Sequence, residues 1–185
     1  MTKLKRCLLV AGLLASAMMV SSAGIALADT IKIGVFGPLS GDAAATGASE
    51  KQAIDLAINE KNAKGGIRGK QIELIYADDA GKPEEAVNVA KRLTERDNVV
   101  LMVGSISSPA SLAASQVAAA SQTPQIVVSG TAQKITMQGN KWVFRSPVPD
   151  TKLAGDLATF IHEKFPKITK GRLPLRERRF RPRRL

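Results

Sequence analysis

The chain has 185 residues, 44% hydrophobic and 23% charged, with one His and one Cys. Its formal charge of +11 sits at the two ends: Lys3, Lys5 and Arg6 open the chain, residues 167–185 hold nine basic side chains against Glu177, and residues 29–166 sum to zero. A neutral body of 138 residues suits one domain with its own core and excludes an electrostatic case for nucleic acid or an anionic membrane.

Residues 1–28 read as a secretory signal peptide, with a basic start, an apolar stretch from Cys7 to Val20 and a small-residue end, Ala26-Leu27-Ala28. The apolar run is short and broken by Gly12, Ser16 and the Ser21-Ser22 pair, which argues against a retained membrane anchor. The mature chain is expected to begin at Asp29. Cys7 stands at the start of the apolar region, so no lipid anchor and no disulfide are expected.

Residues 31–36 form the first predicted strand, turned by Gly37-Pro38-Leu39-Ser40-Gly41. A helix over about 48–62 follows, with Ala53, Ile54, Ala57 and Ile58 at helical spacing, Glu50, Lys51, Asp55 and Lys61 turned to water, and Gly65-Gly66 as its stop. Residues 71–77 alternate polar and apolar as an edge strand does, closed by Asp78-Asp79. Two adjacent acids could suggest a metal. A third oxygen ligand is missing nearby and turn acids usually cap, so no metal and no cofactor are expected. A second helix starts near Pro83, with Glu84 and Glu85 in its first turn and Ala86, Val87, Ala90 and Leu93 as its buried stripe.

Residues 99–103 are continuously apolar, as a strand covered on both faces requires, and Gly104 then permits a sharp turn. Ser107 or Ser108 can cap the next helix, Pro109 fits its first position, and residues 110–120 continue it. Free amides and the positive dipole end there favour a carboxylate or phosphate, although an ordinary capped helix looks the same. Residues 125–128 supply a fourth strand, after which Ser129-Gly130-Thr131-Ala132 repeats the small hydroxylated loop. Residues 142–145 are the fifth strand, and a last helix runs from near Thr151 to a stop at Pro166.

Strands alternating with helices predict an α/β fold, a doubly wound parallel sheet in the flavodoxin-like order 2-1-3-4-5. Strands one and three then flank the crevice, so the loops at 37–42 and 104–108 face one another. An enzyme is not expected. The mature chain lacks cysteine, His162 lies on a predicted surface helix, and Gly34-Val35-Phe36-Gly37-Pro38-Leu39 fails the dinucleotide fingerprint. Tyr76 and Trp142 read as strand or core residues rather than ligand walls.

Several runs, in order, carry a resemblance: Ile31-Lys32-Ile33-Gly34 with the Gly37 to Gly41 turn, Asn62-Ala63-Lys64-Gly65-Gly66-Ile67, Asp78-Asp79 with Pro83-Glu84-Glu85-Ala86, Ser129-Gly130-Thr131, and Val143-Phe144-Arg145-Ser146. Over roughly residues 30–166 the chain resembles the periplasmic branched-chain amino-acid binding proteins of ATP-driven transporters, the type I solute-binding family. That resemblance implies two lobes around a cleft, with residues 29–149 as the first lobe and 150–166 as the hinge and first helix of a truncated second. It also implies a monomer that binds an amino acid and delivers it to a membrane permease, with no nucleic-acid partner. Carried over by position, Ser107 and Ser108 hold the ligand carboxylate, and Ser129, Gly130 and Thr131 form the region that holds the ammonium group. A sensor ectodomain on the same fold stays open as an alternative, as does a nucleic-acid or membrane role for the arginine-rich end.

Residues 167–185 read as a basic tail, and from Gly171 to Leu185 the chain departs from the family. Where it places a strand and a loop resembling Asp-Phe-Gly-Arg-Gly, this chain carries prolines and alternating like charge that a buried strand does not admit. Arg179 to Arg184 can be encoded so that reading one base later gives Asp-Phe-Gly-Arg-Asp-Gly. A disordered tail from a shifted reading frame is therefore the expectation, leaving a non-functional fragment as a further alternative.

Overall fold

The computed structural model describes residues 30–167. The segment read as a signal peptide and the basic tail from residue 168 onward lie outside the described residues. In chain order the elements are β1 (Ile31–Gly37), α1 (Ala44–Ala63), β2 (Ile72–Asp78), α2 (Pro83–Lys91) running into a π-helical turn at Arg92–Arg96, β3 (Leu101–Val103), α3 (Ser108–Ser121), β4 (Gln125–Val127), a 3₁₀ turn (Gln133–Ile135), β5 (Val143–Arg145) and α4 (Asp150–Lys164).

All strand pairs are parallel, in the order β2-β1-β3-β4-β5. Parallel strands need covered faces, and the alternation along β1 supplies two. Ile33 and Val35 face Ile54 and Ile58 of α1. Phe36 joins Met102 and Val127 on the opposite face, against Ala86, Val89, Ala90 and Leu93 and the Ala110, Ala114 and Ala118 row of α3. Between these positions Gly34 admits Leu93, whose side chain would lie 2.9 Å from a Cβ there.

The elements differ from the sequence reading in informative places. Helix α1 starts at Ala44, four residues early, and exposes Ala53 and Ala57. Lys51 and Asp55, read as turned to water, are half-buried beside Ile54 and Ile58: the Lys51 ammonium lies 2.6 Å from Asp55 and 4.2 Å from the Tyr76 ring, and the Tyr76 hydroxyl donates to Asp55 at 2.6 Å. These half-buried polar groups flank Ile54 and Ile58, which alone of the expected apolar stripe pack against the sheet. Strand β3 begins at Leu101, with Val100 59% exposed although its N–H already donates to Lys32. Strand β4 ends at Val127, one residue early, and Trp142 stands just outside β5. Pro109 is the second residue of α3, since Ser107 is the cap and Ser108 comes first.

Gln125 is fully buried at the start of β4 and donates from Nε2 to the carbonyls of Gly104, at 3.0 Å, and Ser111, at 3.2 Å. It thereby ties the loop after β3 to the first turn of α3. Gln125→Ala, which strips the Gly104 carbonyl of its Gln125 donor, removes the bond to Ser111 and opens a cavity, is expected to cost about 2–4 kcal/mol in urea unfolding. A cost below about 1 kcal/mol would show that the loop repacks without it.

Candidate functional site

Helix α1 covers one face of the sheet and α3 the other, so the chain leaves β1 and β3 in opposite directions and opens a crevice at their carboxyl ends. A cleft of about 550 Å³ lies there, with Pro38, Ser40 and Asp42 on one side, Ile106 and Ser107 on the other, and Lys82 at its edge.

The loop after β1 is held from beneath by the end of β2. Asp78 Oδ1 accepts from the amides of Leu39 at 2.8 Å, Ser40 at 3.3 Å and Ala80 at 2.8 Å. The Ser40 side chain above all, with these amides, holds the Asp78 carboxyl below its ordinary value of 3.8. Fully buried Asp79 donates its N–H to Gly37 at 3.1 Å and accepts from Gly81 at 2.8 Å. Both acids act as turn anchors.

The loop after β3 is fixed by serines. Ser111 Oγ donates to the Ser105 carbonyl at 2.9 Å and accepts from the Ser105 amide at 3.0 Å, with both residues buried. Ser107 caps α3, its hydroxyl accepting from Ala110 at 3.5 Å. Ser108 Oγ accepts from the Ala132 amide at 3.3 Å and so joins α3 to the loop after β4.

Of the residues singled out in the sequence, Ser107 lines the cleft and Ser108 stands next to it at the head of α3. Ser129 is exposed on the neighbouring loop. Gly130 is buried, and a Cβ there would come within 2.8 Å of Val127 and 2.9 Å of Ile135. Thr131 Oγ1 donates to Asp150 at 3.0 Å, while Arg145 donates to the carbonyls of Thr131 at 3.2 Å and Ala132 at 2.8 Å. Arg145 thus organises the second loop from β5, a role that its place in a strand does not reveal. Glu50 also departs from expectation, because its carboxyl is buried rather than turned to water. The signal is present in the sequence, since Gly47, Glu50, Ile54 and Ile58 fall on one helical face. His162, on α4, is exposed.

The sequence profile of the family described as "Periplasmic binding protein" matches residues 30–168. The Leu/Ile/Val-binding protein of Escherichia coli K12 is 31% identical over 152 residues, covering 82% of this chain and 41% of that protein. A crystal structure of the branched-chain amino acid transporter substrate binding protein LivJ from Streptococcus pneumoniae, in complex with isoleucine, superimposes with a TM-score of 0.67 at 34% identity, over 74% of this chain and 39% of that one. A solute binding protein of an ABC transporter from Rhodopseudomonas palustris, in complex with 3,4-dihydroxybenzoic acid, gives 0.62 at 31% identity, over 71% and 36%. The chain spans about two fifths of the length of these relatives.

Asp78→Asn keeps the shape of the β1 loop anchor and removes its charge. It is expected to cost about 1 kcal/mol at pH 7, an amide accepting less strongly than a carboxylate at this solvent-screened site. Because folding lowers the Asp78 value, the wild-type advantage is complete above pH 3.8 and fades as pH falls through the folded value. Urea unfolding of both proteins at pH 7 and at a series of pH values below 3.8 checks the magnitude and its decline.

Proposed function

The chain belongs to the periplasmic binding protein family, and on that premise we propose that it forms one wall of the cleft of an extracytoplasmic solute-binding protein. The protein serves an ABC-type importer, captures a branched-chain amino acid or a related small carboxylate in the periplasm, and hands it to the membrane permease as a monomer. The observation that carries this reading is the open cleft between the Ser40 loop and the Ser107-Ser108 start of α3, at the switch point of the sheet.

In this reading Ser107 and Ser108 receive the carboxylate, because a helix start offers amides ahead of the helix's own ladder, hydroxyls and the positive dipole end. The ligands named for the pneumococcal and Rhodopseudomonas proteins differ in size and in their amine, yet both carry a carboxylate. Ser129, Gly130 and Thr131 form the loop that would receive an ammonium group, with Asp150, which accepts from the Thr131 hydroxyl, adding negative charge beside it. Residues 150–166 supply the start of the opposite wall. Helix α4 has no buried residue and leaves Leu153, Leu157 and Phe160 exposed, as an element that packs within a second lobe would.

Two measurements test the reading. Mass spectrometry of periplasmic material is expected to give a chain starting at Asp29, and a cytoplasmic product retaining residues 1–28 would remove the transport role. Isothermal titration of the exported protein with leucine, isoleucine, valine and threonine is expected to give saturable binding, weakened by about 1–3 kcal/mol in Ser108→Ala with the unfolding midpoint kept. Unchanged affinity would leave Ser108 as a helix-start residue only, and no binding of any of the four would sink the ligand class.

A further inference from the structure

The acid that the cleft does not use lies directly under its wall. Helix α1 presses on the loop after β1 so closely that a Cβ at Gly47 would stand 2.0 Å from the Pro38 carbonyl oxygen. One turn further on, Glu50 abuts a void of about 10 Å³ bounded by Gly37, Leu39, Gly47 and Tyr76. Both Glu50 carboxyl oxygens are buried without a hydrogen-bond partner, and so is Oδ2 of the fully buried Asp79.

The charged and titratable groups around Glu50 do not compensate it. Lys51 lines the same void but pairs with Asp55, and the Tyr76 hydroxyl also donates to Asp55. Asp78 accepts loop amides and offers no proton, and Asp79 adds negative charge. Two buried acids without a cation are tolerated when one of them is neutral.

We propose that Glu50 is a positioning residue that holds a proton beneath the 38–42 loop, and that its ionisation, against Asp79 and without a donor, loosens that loop from the sheet. Burial first and the Asp79 charge second raise the Glu50 carboxyl to about 7. An ionised Glu50 needs water, and of the residues bounding the void the exposed one is Leu39, at the start of the exposed 39–42 segment. That segment carries the Leu39 and Ser40 amides that Asp78 holds. The proton is therefore coupled to the conformation of one cleft wall. A pH-dependent ligand affinity would result only if the proposed binding function is right, whereas the titration itself is a property of the ligand-free chain.

The test is amide NMR of the ligand-free chain from pH 5.5 to 8.5, following the Leu39 and Ser40 resonances. The wild type is expected to shift with a midpoint near 7. Glu50→Gln, which imitates the protonated acid, is expected to abolish that transition and leave the amides at their low-pH positions. Asp79→Asn is expected to move the midpoint to lower pH, and it decides alone if Glu50→Gln does not fold. A flat wild-type profile overturns the proposal, as do equal midpoints in wild type and Glu50→Gln, or a midpoint that Asp79→Asn leaves in place. None of these outcomes depends on whether an amino acid binds.

Discussion

The seam between β1 and β3 leaves no room for a side chain. A Cβ at Gly104 would stand 1.9 Å from the Phe36 carbonyl oxygen, and the residue adopts φ of +138°, where other residues are strained. This close approach lets the chain turn away as soon as β3 ends, while the loop after β1 turns away on the opposite face. The cleft exists because two neighbouring strands part company at the same level. A larger residue at 104 would push the two loops apart, and the Ser105 to Ser111 bonds that aim Ser107 would no longer close.

The two loops that part at this seam differ in how well their polar groups are satisfied. Around α3 the accounting nearly closes: the Ser105 amide and carbonyl meet the Ser111 hydroxyl, the Gly104 and Ser111 carbonyls meet Gln125, and of this group only Gln125 Oε1 is left without a partner. Around α1 it does not, since Glu50 and Asp79 together leave three buried oxygens unpaired. Buried polar groups without partners are costly, so a fold that retains them at one loop and satisfies them at the other is built asymmetrically. The β3 loop is locked by neutral serines and a glutamine. The β1 loop depends on the charge state of acids.

Much of this architecture is legible in the sequence, for identifiable reasons. The parallel sheet and its crevice come from the alternation of apolar runs with helices, and a cap at Ser107 or Ser108 from the rule that hydroxyl side chains accept orphan amides; that Ser107 is the one used is settled by the fold. Glu50 escapes because a stripe defined by apolar residues alone admits Ala53 and Ala57, which fit it while contributing little to it. Small residues carry weak directional information, so they outvote the glycine, acid and two isoleucines on the true inner face. Arg145 escapes for a different reason: a strand reading fixes which face a side chain takes, but not that its guanidinium reaches the carbonyls of Thr131 and Ala132 in another loop.

Helices α3 and α4 mark where periodicity stops being informative. Helix α3 contains no charged residue, and its Ala110, Ala114 and Ala118 row is buried against the sheet. Helix α4 carries larger apolar groups, Leu153, Leu157 and Phe160, yet buries none of its residues. A stripe states that a helix has something to bury, and its strength scales with side-chain size; it does not name the body that receives it. Burial is decided by where the connection leads. The loop after β3 returns α3 onto its own sheet through Ser111 and Gln125, whereas β5 passes into an extended segment at 146–149 that carries α4 off the sheet. That segment is tied back at both ends: the Ser146 amide donates to the Val127 carbonyl at 3.0 Å, and the Asp150 amide and carboxylate meet the Thr131 carbonyl and hydroxyl. The second of these ties runs to the loop that carries Ser129, Gly130 and Thr131, so the start of α4 is joined to the sheet through that loop as well as through the chain itself.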